Sequence, residues 1–387
     1  MLRENEIQFI QENLHRDPVA IALEAAKYPD LDIPVLVGQI KARQKLKDKM
    51  PVWVANERVF FPPSLALEQS SSEETAHFKA SLVKGKIADL TGGMGLDSYA
   101  FAKAGCEVDY IERQKDLAKI TALNHAQLKA GNIHHHTGDS LKWLVEQGKS
   151  FDFIYVDPAR RDGAGKKVVL LQDCEPNALD LIPFVNNKTS LLIKTSPLLD
   201  LDQAIRELKG VDKIYIVCVK NEVKELLFLK TAQSSADPSI EVIELSLPNS
   251  LLFSGRKQIE SETEIATGPI LNYLYEPHAG VLKGGFFKSA GKGLLKIAVN
   301  THLYTSESLH TNFAGRAFKI LAEGSLEKKW IHSVLPGLQA NISTRNFPIK
   351  ADEIRKKFQL KDGGEFTLFA FRDQANKNKV VLAKKIS

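Results

Sequence analysis

Residues 87–97 read IADLTGGMGLD, and this stretch decides the fold of the chain. A short apolar segment ends at the acidic Asp89, three glycines follow within four positions, and a helical pattern begins at Ser98. Glycine is favoured where a backbone turns sharply or where a ligand approaches it closely. The start of the next helix offers free N–H groups and a positive dipole end. The stretch therefore predicts a strand, a tight turn and a helix, with a polar or anionic ligand at the turn.

Three further predicted strands carry an acidic residue at their carboxyl ends. Glu112 ends the strand that begins at Glu107, Asp139 follows the strand at 132–136, and Asp157 follows the strand at 151–156. A nucleotide-binding sheet places a carboxylate for the ribose hydroxyls at the end of its second strand, which is the position of Glu112. Ligands of such sheets bind outside the carboxyl ends of the strands, so we expect these side chains at one site.

Helical and apolar strand patterns alternate after the glycine turn. Predicted helices at 114–130, 139–148, 175–186 and 200–208 alternate with strands at 151–156, 189–195 and 213–219. This alternation predicts an α/β fold with a mostly parallel, doubly wound sheet. One more strand at 224–230 follows so closely that its connection requires an antiparallel hairpin.

These residues resemble a known family. The pattern D-x-x-x-G-x-G at 89–95 looks like the S-adenosylmethionine (SAM) motif of class I methyltransferases, and D-P-A-R at 157–160 looks like a variant of the D/N-P-P-Y element of amino-methyltransferases. The run 87–128 is similar to guanine-N2 RNA methyltransferases. The part from about Tyr275 to the end resembles the ferredoxin-like and THUMP-like pair attached to one group of bacterial methyltransferases.

The resemblance implies a Rossmann-like methyltransferase sheet with SAM as its cofactor. SAM needs backbone room for its methionine end, a carboxylate for its ribose and a polar side chain near its adenine. The predicted cofactor-binding residues are Asp89, Thr91, Gly93, Gly95, Glu112 and Asp139. Two simpler interpretations stay open, because Glu112 could face solvent at a strand end and Asp139 could cap the helix that it precedes.

Asp157 and Pro158 are the predicted catalytic element. A carboxylate and a backbone carbonyl that accept the two hydrogens of an exocyclic amine can aim the nitrogen lone pair at the methyl group. The aromatic residue expected next is replaced by Arg160 and Arg161, which either stack on a base, hold a phosphate or pair with nearby acids. Lys194 ends the fifth strand at the same edge, where it either contacts substrate or covers an apolar wall with its stem.

The domain plan predicted from these patterns has five parts. They are a helical N-terminal region at 1–80, the methyltransferase domain at 81–245, a linker at 246–274, a ferredoxin-like domain at 275–315 and a THUMP-like domain at 316–387.

Charge points to the C-terminal third as the part that meets a nucleic acid. The net charge is only +5, but residues 281–320 hold six basic residues against one acidic residue. Such clustering suits phosphate contacts, although a solvated lysine-rich surface has the same composition. An RNA, either rRNA or tRNA, is the expected partner.

Several classes of protein are disfavoured by the sequence. The chain has no run of apolar residues long enough for a transmembrane helix and no apolar signal core near its start, so we expect a cytoplasmic protein without membrane contact. The three cysteines are widely spaced. Consecutive residues of the run His134–His136 alternate faces on a strand, so they cannot converge on one metal ion. We therefore expect no metal site.

The leading prediction is a SAM-dependent methyltransferase that acts on a structured RNA, most simply at an exocyclic amine such as guanine N2. Two alternatives remain, namely a protein or small-molecule amine methyltransferase and a non-catalytic RNA-binding protein. A nicotinamide dehydrogenase is disfavoured, because the turn lacks the G-x-G-x-x-G spacing.

Overall fold

The computed structural model of the protein describes residues 2–62, 70–147, 150–160, 170–233, 235–335 and 337–386. The chain divides into two compact units. The first consists of residues 1–212 and 226–236, and the second of residues 213–225 and 237–387.

Short helices occupy the described part of the N-terminal region, as predicted. They are α1 (Glu4–Asn13), α2 (Pro18–Leu23), α3 (Ile33–Leu46), α4 (Pro51–Ala55) and α5 (Glu73–Ser81), with a 3-10 turn at Ala25–Lys27. Asp17 and Asp32 begin α2 and α3 by accepting backbone N–H groups, the usual role of an N-cap carboxylate. Buried Phe9, Ile21 and Leu36 belong to the apolar core of this region.

The sheet of the first unit is doubly wound. Its parallel strands are β1 (Lys86–Asp89), β2 (Glu107–Glu112), β3 (Ile133–Thr137), β4 (Phe153–Val156) and β7 (Ser190–Thr195), in the order β7-β4-β1-β2-β3. Between β4 and β7 in the chain, the short strands β5 (Ala159–Arg160) and β6 (Cys174–Glu175) form a separate two-stranded sheet. The chain passes from β1 outward to β3 and then returns to the other side of β1 with β4. The gap between β1 and β4 is thus the topological switch point, where sheets of this kind bind ligands.

Helices follow the strands as the alternation predicts. They are α6 (Leu96–Lys103), α7 (Lys115–Gln127), α8 (Ser140–Gln147) and α9 (Leu201–Glu207), with 3-10 turns at Leu171–Asp173 and Ala178–Phe184. The helix predicted at 175–186 is shorter and of the 3-10 type, and it contains Pro183, which lacks the N–H that an α-helix needs. The α/β fold class is confirmed.

Two strands follow the parallel part of the sheet, β8 (Lys213–Val219) and β9 (Glu222–Lys230). Residues 226–230 of β9 belong to the first unit and run antiparallel to β7, in agreement with the predicted antiparallel strand.

The second unit begins with strands that the sequence patterns only partly predict. β10 (Ser239–Glu244) pairs parallel with β8, and β11 (Leu251–Gly255) pairs antiparallel with β10. Helix α10 (Lys257–Glu262) follows. The segment 246–274, predicted as a linker, therefore contains a strand and a helix. Glycine is typical of turns, but a Cβ on Gly255 would lie 2.6 Å from the Phe286 ring, so this glycine serves close packing.

A seven-stranded sheet makes up the rest of the second unit. Its strands are β12 (Tyr273–Pro277), β13 (Leu295–Ala298), β14 (Thr301–Ser306), β15 (Gly315–Gly324), β16 (Asn341–Arg345), β17 (Phe366–Arg372) and β18 (Asn378–Lys385), in the order β13-β14-β12-β15-β18-β17-β16. The helices are α11 (Ala279–Gly284), α12 (Lys328–Val334) and α13 (Ala351–Phe358), with a 3-10 turn at Ser289–Gly291. The parts predicted as ferredoxin-like and THUMP-like thus share one sheet, because β12 pairs with β14 on one side and with β15 on the other.

One apolar cluster of that sheet contains residues of both parts. Leu274 and Leu303 from the first part contact Phe318 and Phe369 from the second. β17 and β18 form an antiparallel hairpin. In the part of the chain that the structure describes, every helix is too short or too polar to cross a membrane.

Candidate functional site

The glycine turn lies at the end of β1, as predicted. Gly93 and Gly95 have positive φ angles of 53° and 78°, a conformation that other residues seldom adopt. A Cβ on Gly95 would lie 2.4 Å from Nε2 of His125, and a Cβ on Gly92 would lie 2.2 Å from the Tyr110 ring. Two of the three glycines are therefore required by close packing, and the turn lies directly on the side chains beneath it.

The carbonyl of Gly93 is held by two hydroxyl groups. The Tyr110 hydroxyl donates to it over 2.6 Å, and Thr121 Oγ1 donates over 3.0 Å. Burial raises the pKa of Tyr110 above its usual range, so this hydroxyl stays protonated and remains a donor. The turn is thus fixed from β2 and α7 before any ligand binds.

Glu112 contacts the same turn from the end of β2. Its Oε2 accepts the Gly93 N–H over 3.0 Å, and its Oε1 accepts the Gln114 N–H over 2.8 Å. The simpler interpretation of Glu112 as a charge that only faces solvent does not fit these two contacts. The carboxylate is positioned by backbone groups on both sides, at the strand end where a ribose is expected.

His125 on α7 contacts the glycine turn and is itself paired with His135 on β3. His125 Nε2 lies 2.9 Å from the Gly95 carbonyl, and His125 Nδ1 lies 2.9 Å from His135 Nε2. A carbonyl only accepts, so Nε2 of His125 carries the proton and Nδ1 accepts from His135. Burial lowers the pKa of His125 to about 3, which keeps this ring neutral. The sequence did not single out His125 as part of the site.

The histidine run on β3 does not gather around one point. His135 faces His125 on α7, whereas His136 Nε2 lies 2.7 Å from Asp109 Oδ1 on β2. The described residues contain no group of three or more histidine, cysteine or acidic side chains that could hold a metal ion.

Asp89 is buried at the start of the turn. Its Oδ1 accepts the Thr91 N–H over 3.1 Å, and its Oδ2 accepts the Ser98 hydroxyl over 2.5 Å. Burial raises the pKa of Asp89 to about 7, and the charges of Asp97 and Asp157 act in the same direction. The carboxyl group of Asp89 is thus used inside the protein to close the turn.

Asp97 is a second carboxylate of the site, to which the sequence patterns assigned no role. Its Oδ2 accepts from Tyr155 Oη over 2.7 Å and from Ser71 Oγ over 3.0 Å, while Lys79 Nζ lies 3.3 Å from Oδ1. Burial works against the charged form, but Lys79 and Lys194 outweigh it and hold the pKa of Asp97 below its usual range. Asp97 is therefore ionised at neutral pH.

Asp157 lies beyond the end of β4 and is held at two points. Its N–H donates to Thr91 Oγ1 over 2.7 Å, which ties the predicted catalytic element to the glycine turn. Its Oδ2 forms an ion pair with Lys194 Nζ. Lys194 is buried at the end of the neighbouring strand β7.

The residues after Asp157 are only partly described. Ala159 and Arg160 form β5, which pairs with β6. The Arg160 side chain and the whole of Arg161 lie outside the described residues, so their predicted contacts with substrate stay predictions. Pro158 is half-buried and is not among the described residues that line the cavity.

A cavity of about 630 Å³ joins these strand ends. All predicted cofactor-binding residues and Asp157 line its wall: Asp89, Thr91, Gly93, Gly95, Glu112, Asp139 and Asp157. Its volume lies within the range of about 300–1,000 Å³ typical of small-molecule sites. Asp139 also accepts the Lys142 N–H over 2.8 Å and thus caps α8, while its predicted contact with the cofactor stays a prediction.

A second wall comes from residues that the sequence patterns did not point to. Glu175, Pro176, Asn177 and Asp180 line the cavity, and Glu175 Oε1 accepts from Arg113 Nη1 over 2.6 Å. No motif marks them, because they approach the site only through the pairing of β5 with β6.

Comparison with known families locates two C-terminal domains. The family described as THUMP domain-like matches residues 315–385, and the family described as a ferredoxin-like domain matches residues 273–313. The presence of both predicted domain types is thereby confirmed.

Relatives of known name match a smaller part of the chain. Ribosomal RNA small subunit methyltransferase J of Hydrogenovibrio crunogenus is 35% identical over 83 residues, and that of Thioalkalivibrio sulfidiphilus is 33% identical over 82 residues. The alignments cover 19% of this chain and 30% and 32% of those proteins. The chain thus spans about a third of the length of the curated relatives it matches.

One solved structure matches the chain from end to end. The crystal structure named "putative methyltransferase from Porphyromonas gingivalis W83" is 32% identical in sequence, has a TM-score of 0.86 and is covered to 100%, as is this chain.

Proposed function

The chain belongs to the methyltransferase family of the Porphyromonas gingivalis protein, and on this premise we propose that it transfers a methyl group from SAM to a structured RNA. The observation that carries the proposal is that the glycine turn, Glu112 and Asp157 line one cavity. A cofactor subsite and an acceptor carboxylate thus share one pocket at the switch point of the sheet.

The residues around the turn fit SAM. Each Glu112 oxygen accepts one backbone N–H, and because a carboxylate offers about four lone-pair sites it can still accept both ribose hydroxyls. Asp97 is ionised on the cavity wall, where it favours a positively charged methionine end. Asp139 lines the same cavity at the end of β3 and would contact the adenine.

When bound, SAM supplies the methyl group of its sulfonium, and the C–S bond breaks with its electron pair going to sulfur as the acceptor nitrogen forms the new C–N bond. Asp157 accepts a hydrogen bond from an N–H group of the acceptor amine and thereby directs the nitrogen lone pair. The methylated nitrogen then releases its extra proton to water. Because the Asp157 N–H is tied to Thr91 of the glycine turn, the two subsites keep a fixed separation. Fixed geometry is the main contribution that an enzyme makes to an in-line displacement.

Ribosomal RNA with an exocyclic amine such as guanine N2 is the acceptor that we propose. The small-subunit rRNA methyltransferases aligned above support the choice of rRNA, and the acidic residue with its proline at 157–158 supports an amine. The basic excess at 281–320 lies in the second unit and would supply phosphate contacts.

The experiment that tests this function offers the full-length protein labelled SAM and three acceptor fractions from a strain that lacks the gene. These fractions are total RNA, protein and small metabolites, and RNA from the wild-type strain serves as control. We expect label in RNA of the deletion strain only, since wild-type RNA is already modified. Mass spectrometry of nucleosides then identifies the methylated base.

Other outcomes separate the alternatives. Label in the protein or metabolite fraction would replace RNA as the substrate. SAM binding without incorporation into any fraction would support the non-catalytic RNA-binding alternative and overturn the proposed activity.

A further inference from the structure

Lys194 is a buried cation that pairs with the proposed acceptor carboxylate. It is the fifth residue of β7, is only 8% exposed, and forms the ion pair with Asp157 Oδ2. It does not line the cavity. The role predicted from sequence, direct contact with substrate, stays a prediction, whereas the ion pair with Asp157 is observed.

Sheet register explains why the two groups meet. β4 and β7 are parallel neighbours in which Val156 is opposite Ile193. The next pair in the same register is Asp157 and Lys194, so their side chains leave adjacent strand ends together. The pairing thus follows from the register of β4 and β7, with Asp157 as the first residue after β4.

Lys194 also acts on a second carboxylate. Its charge is one of the causes that lower the pKa of Asp97, whose other lysine partner is Lys79. Asp97 lies on the first turn of α6, directly after the glycine turn, and Asp157 belongs to the acceptor element. The charge of Lys194 thus acts on two carboxylates that line the cavity.

We propose that Lys194 is a positioning residue for methyl transfer, which holds Asp157 in the orientation that receives the acceptor amine. This inference rests on the proposed function. Lys194 occupies Oδ2 of Asp157, and Oδ1 accepts the hydrogen of the acceptor amine. The Asp157 main chain is fixed by Thr91 and its side chain by Lys194, so the carboxylate has one orientation available.

The proposal distinguishes Lys194 from a residue that touches substrate. Effects of residues that act through one another are strongly non-additive, whereas independent contacts add. If Lys194 acts only through Asp157, its removal should cost nothing more once Asp157 has lost its charge.

The test is a double-mutant cycle of Lys194→Met and Asp157→Asn on the full-length protein, measured by single-turnover methylation of rRNA from the deletion strain. We expect Lys194→Met to lower the rate constant about 100-fold, in the range seen for loss of one aligned electrostatic contact. The SAM dissociation constant should change far less than the rate constant, because Lys79 still pairs with Asp97 in the variant. The double variant should be no slower than Asp157→Asn alone.

Lys194→Arg keeps the charge and should recover at least part of the rate. Lys188→Met is the matched control, since Lys188 is exposed in the loop before β7 and should behave as wild type. Single-turnover rate constants do not depend on the fraction of active protein, so partial misfolding would reduce the amplitude and leave the rate constant unchanged.

Three results would overturn the inference. A Lys194→Met rate within about threefold of wild type would show that positioning does not need Lys194. Additive effects in the cycle would show that Lys194 contacts substrate itself. A wild-type protein that binds SAM but methylates no fraction would instead refute the proposed function, and the inference with it.

Discussion

The two halves of the cavity are built in different ways. The cofactor half uses backbone geometry and residues close in sequence, with the glycine turn at 92–95, Tyr110 and Glu112 all within about twenty positions. The acceptor half depends on side-chain charge from neighbouring strands that are distant in sequence, since Asp157 follows β4 and Lys194 belongs to β7. A motif can describe the first kind of subsite, because its spacing fixes its geometry. The second kind depends on which strands become neighbours.

The largest effect that we expect comes from a substitution in the glycine turn of the cofactor half. Gly95→Ala forces a side chain onto a φ of 78° and places its Cβ 2.4 Å from His125 Nε2, so we expect SAM affinity to fall on the order of 100-fold. Isothermal titration with SAM measures it, and circular dichroism checks folding.

Two glycines calibrate that result. Gly93→Ala has the strained φ of 53° but no neighbouring atom nearer than 3.7 Å, so it should cost only about fivefold. Gly131→Ala meets nothing within 4 Å and should bind SAM like wild type. Equal losses for Gly93→Ala and Gly95→Ala would mean that the packing on His125 is irrelevant.

In the acceptor half, we expect a substitution to lower the methylation rate and to leave SAM affinity nearly unchanged. Asp157→Ala removes the carboxylate that aims the acceptor, so turnover should fall about 100-fold while SAM affinity barely changes. Asp157→Asn keeps an acceptor oxygen and should retain more activity. Single-turnover methylation beside titration with SAM separates the two effects. A large loss of SAM affinity in Asp157→Asn would remove the distinction between the halves.

The pH dependence of stability tests whether His125, which contacts the glycine turn of the cofactor half, is buried in its neutral form. His125 has a pKa of about 3 in the folded protein against about 6.5 when unfolded, so protonation favours unfolding. The contribution of neutral His125 to the free energy of unfolding is complete above pH 6.5 and is lost as pH falls toward 3. Between pH 7 and pH 5 this loss amounts to about 2 kcal/mol.

Chemical denaturation at both pH values measures this loss of the free energy of unfolding. In His125→Gln the decrease over the same interval should be smaller by about that amount. His15→Gln serves as the control, because His15 is exposed on the surface and should keep the wild-type slope. Equal slopes for all three proteins would contradict a buried neutral His125.

Glu112 should give a smaller effect, since it contributes hydrogen bonds and leaves the turn itself in place. Glu112→Gln keeps one acceptor oxygen but loses the charge, so SAM affinity should fall about tenfold. Glu107→Gln, at the exposed start of the same strand, is the matched control. Unchanged affinity in Glu112→Gln would mean that the carboxylate only orders the turn.

The smallest effect is expected outside both halves. Lys292 and Lys319 are exposed in the basic part of the second unit. If both contact phosphates, changing both to glutamine should reduce the slope of log RNA affinity against log salt by about 1.4 to 1.8. Fluorescence anisotropy with rRNA fragments measures the slope. An unchanged slope would identify these lysines as a solvated surface, and Lys188→Gln in the first unit controls for the loss of charge.

Much of the first unit could be predicted from the sequence. Strand ends at Asp89, Glu112, Asp139 and Asp157 follow from local patterns, and the parallel fold that unites them follows from strand and helix alternation. The shared sheet of the C-terminal parts could not be predicted, because the pairing of β12 with β15 joins segments with no common local signal. The strand β11 lies in the segment predicted as a linker, because its Gly255 is a residue type common in turns, whereas the structure uses it for close packing.

The sequence by itself determined the chemistry available at each strand end, because glycine conformation, strand period and helix starts are local properties of the chain. Only the tertiary structure decided which charges compensate one another. Lys79 and Lys194 reach Asp97 and Asp157 because α5 packs near α6 and β7 lies beside β4. Asp89, which has the strongest sequence signal, is buried with its carboxyl group used internally, whereas Asp97 remains ionised on the cavity wall. Burial and neighbouring charge set these states, and both arise only when distant segments meet.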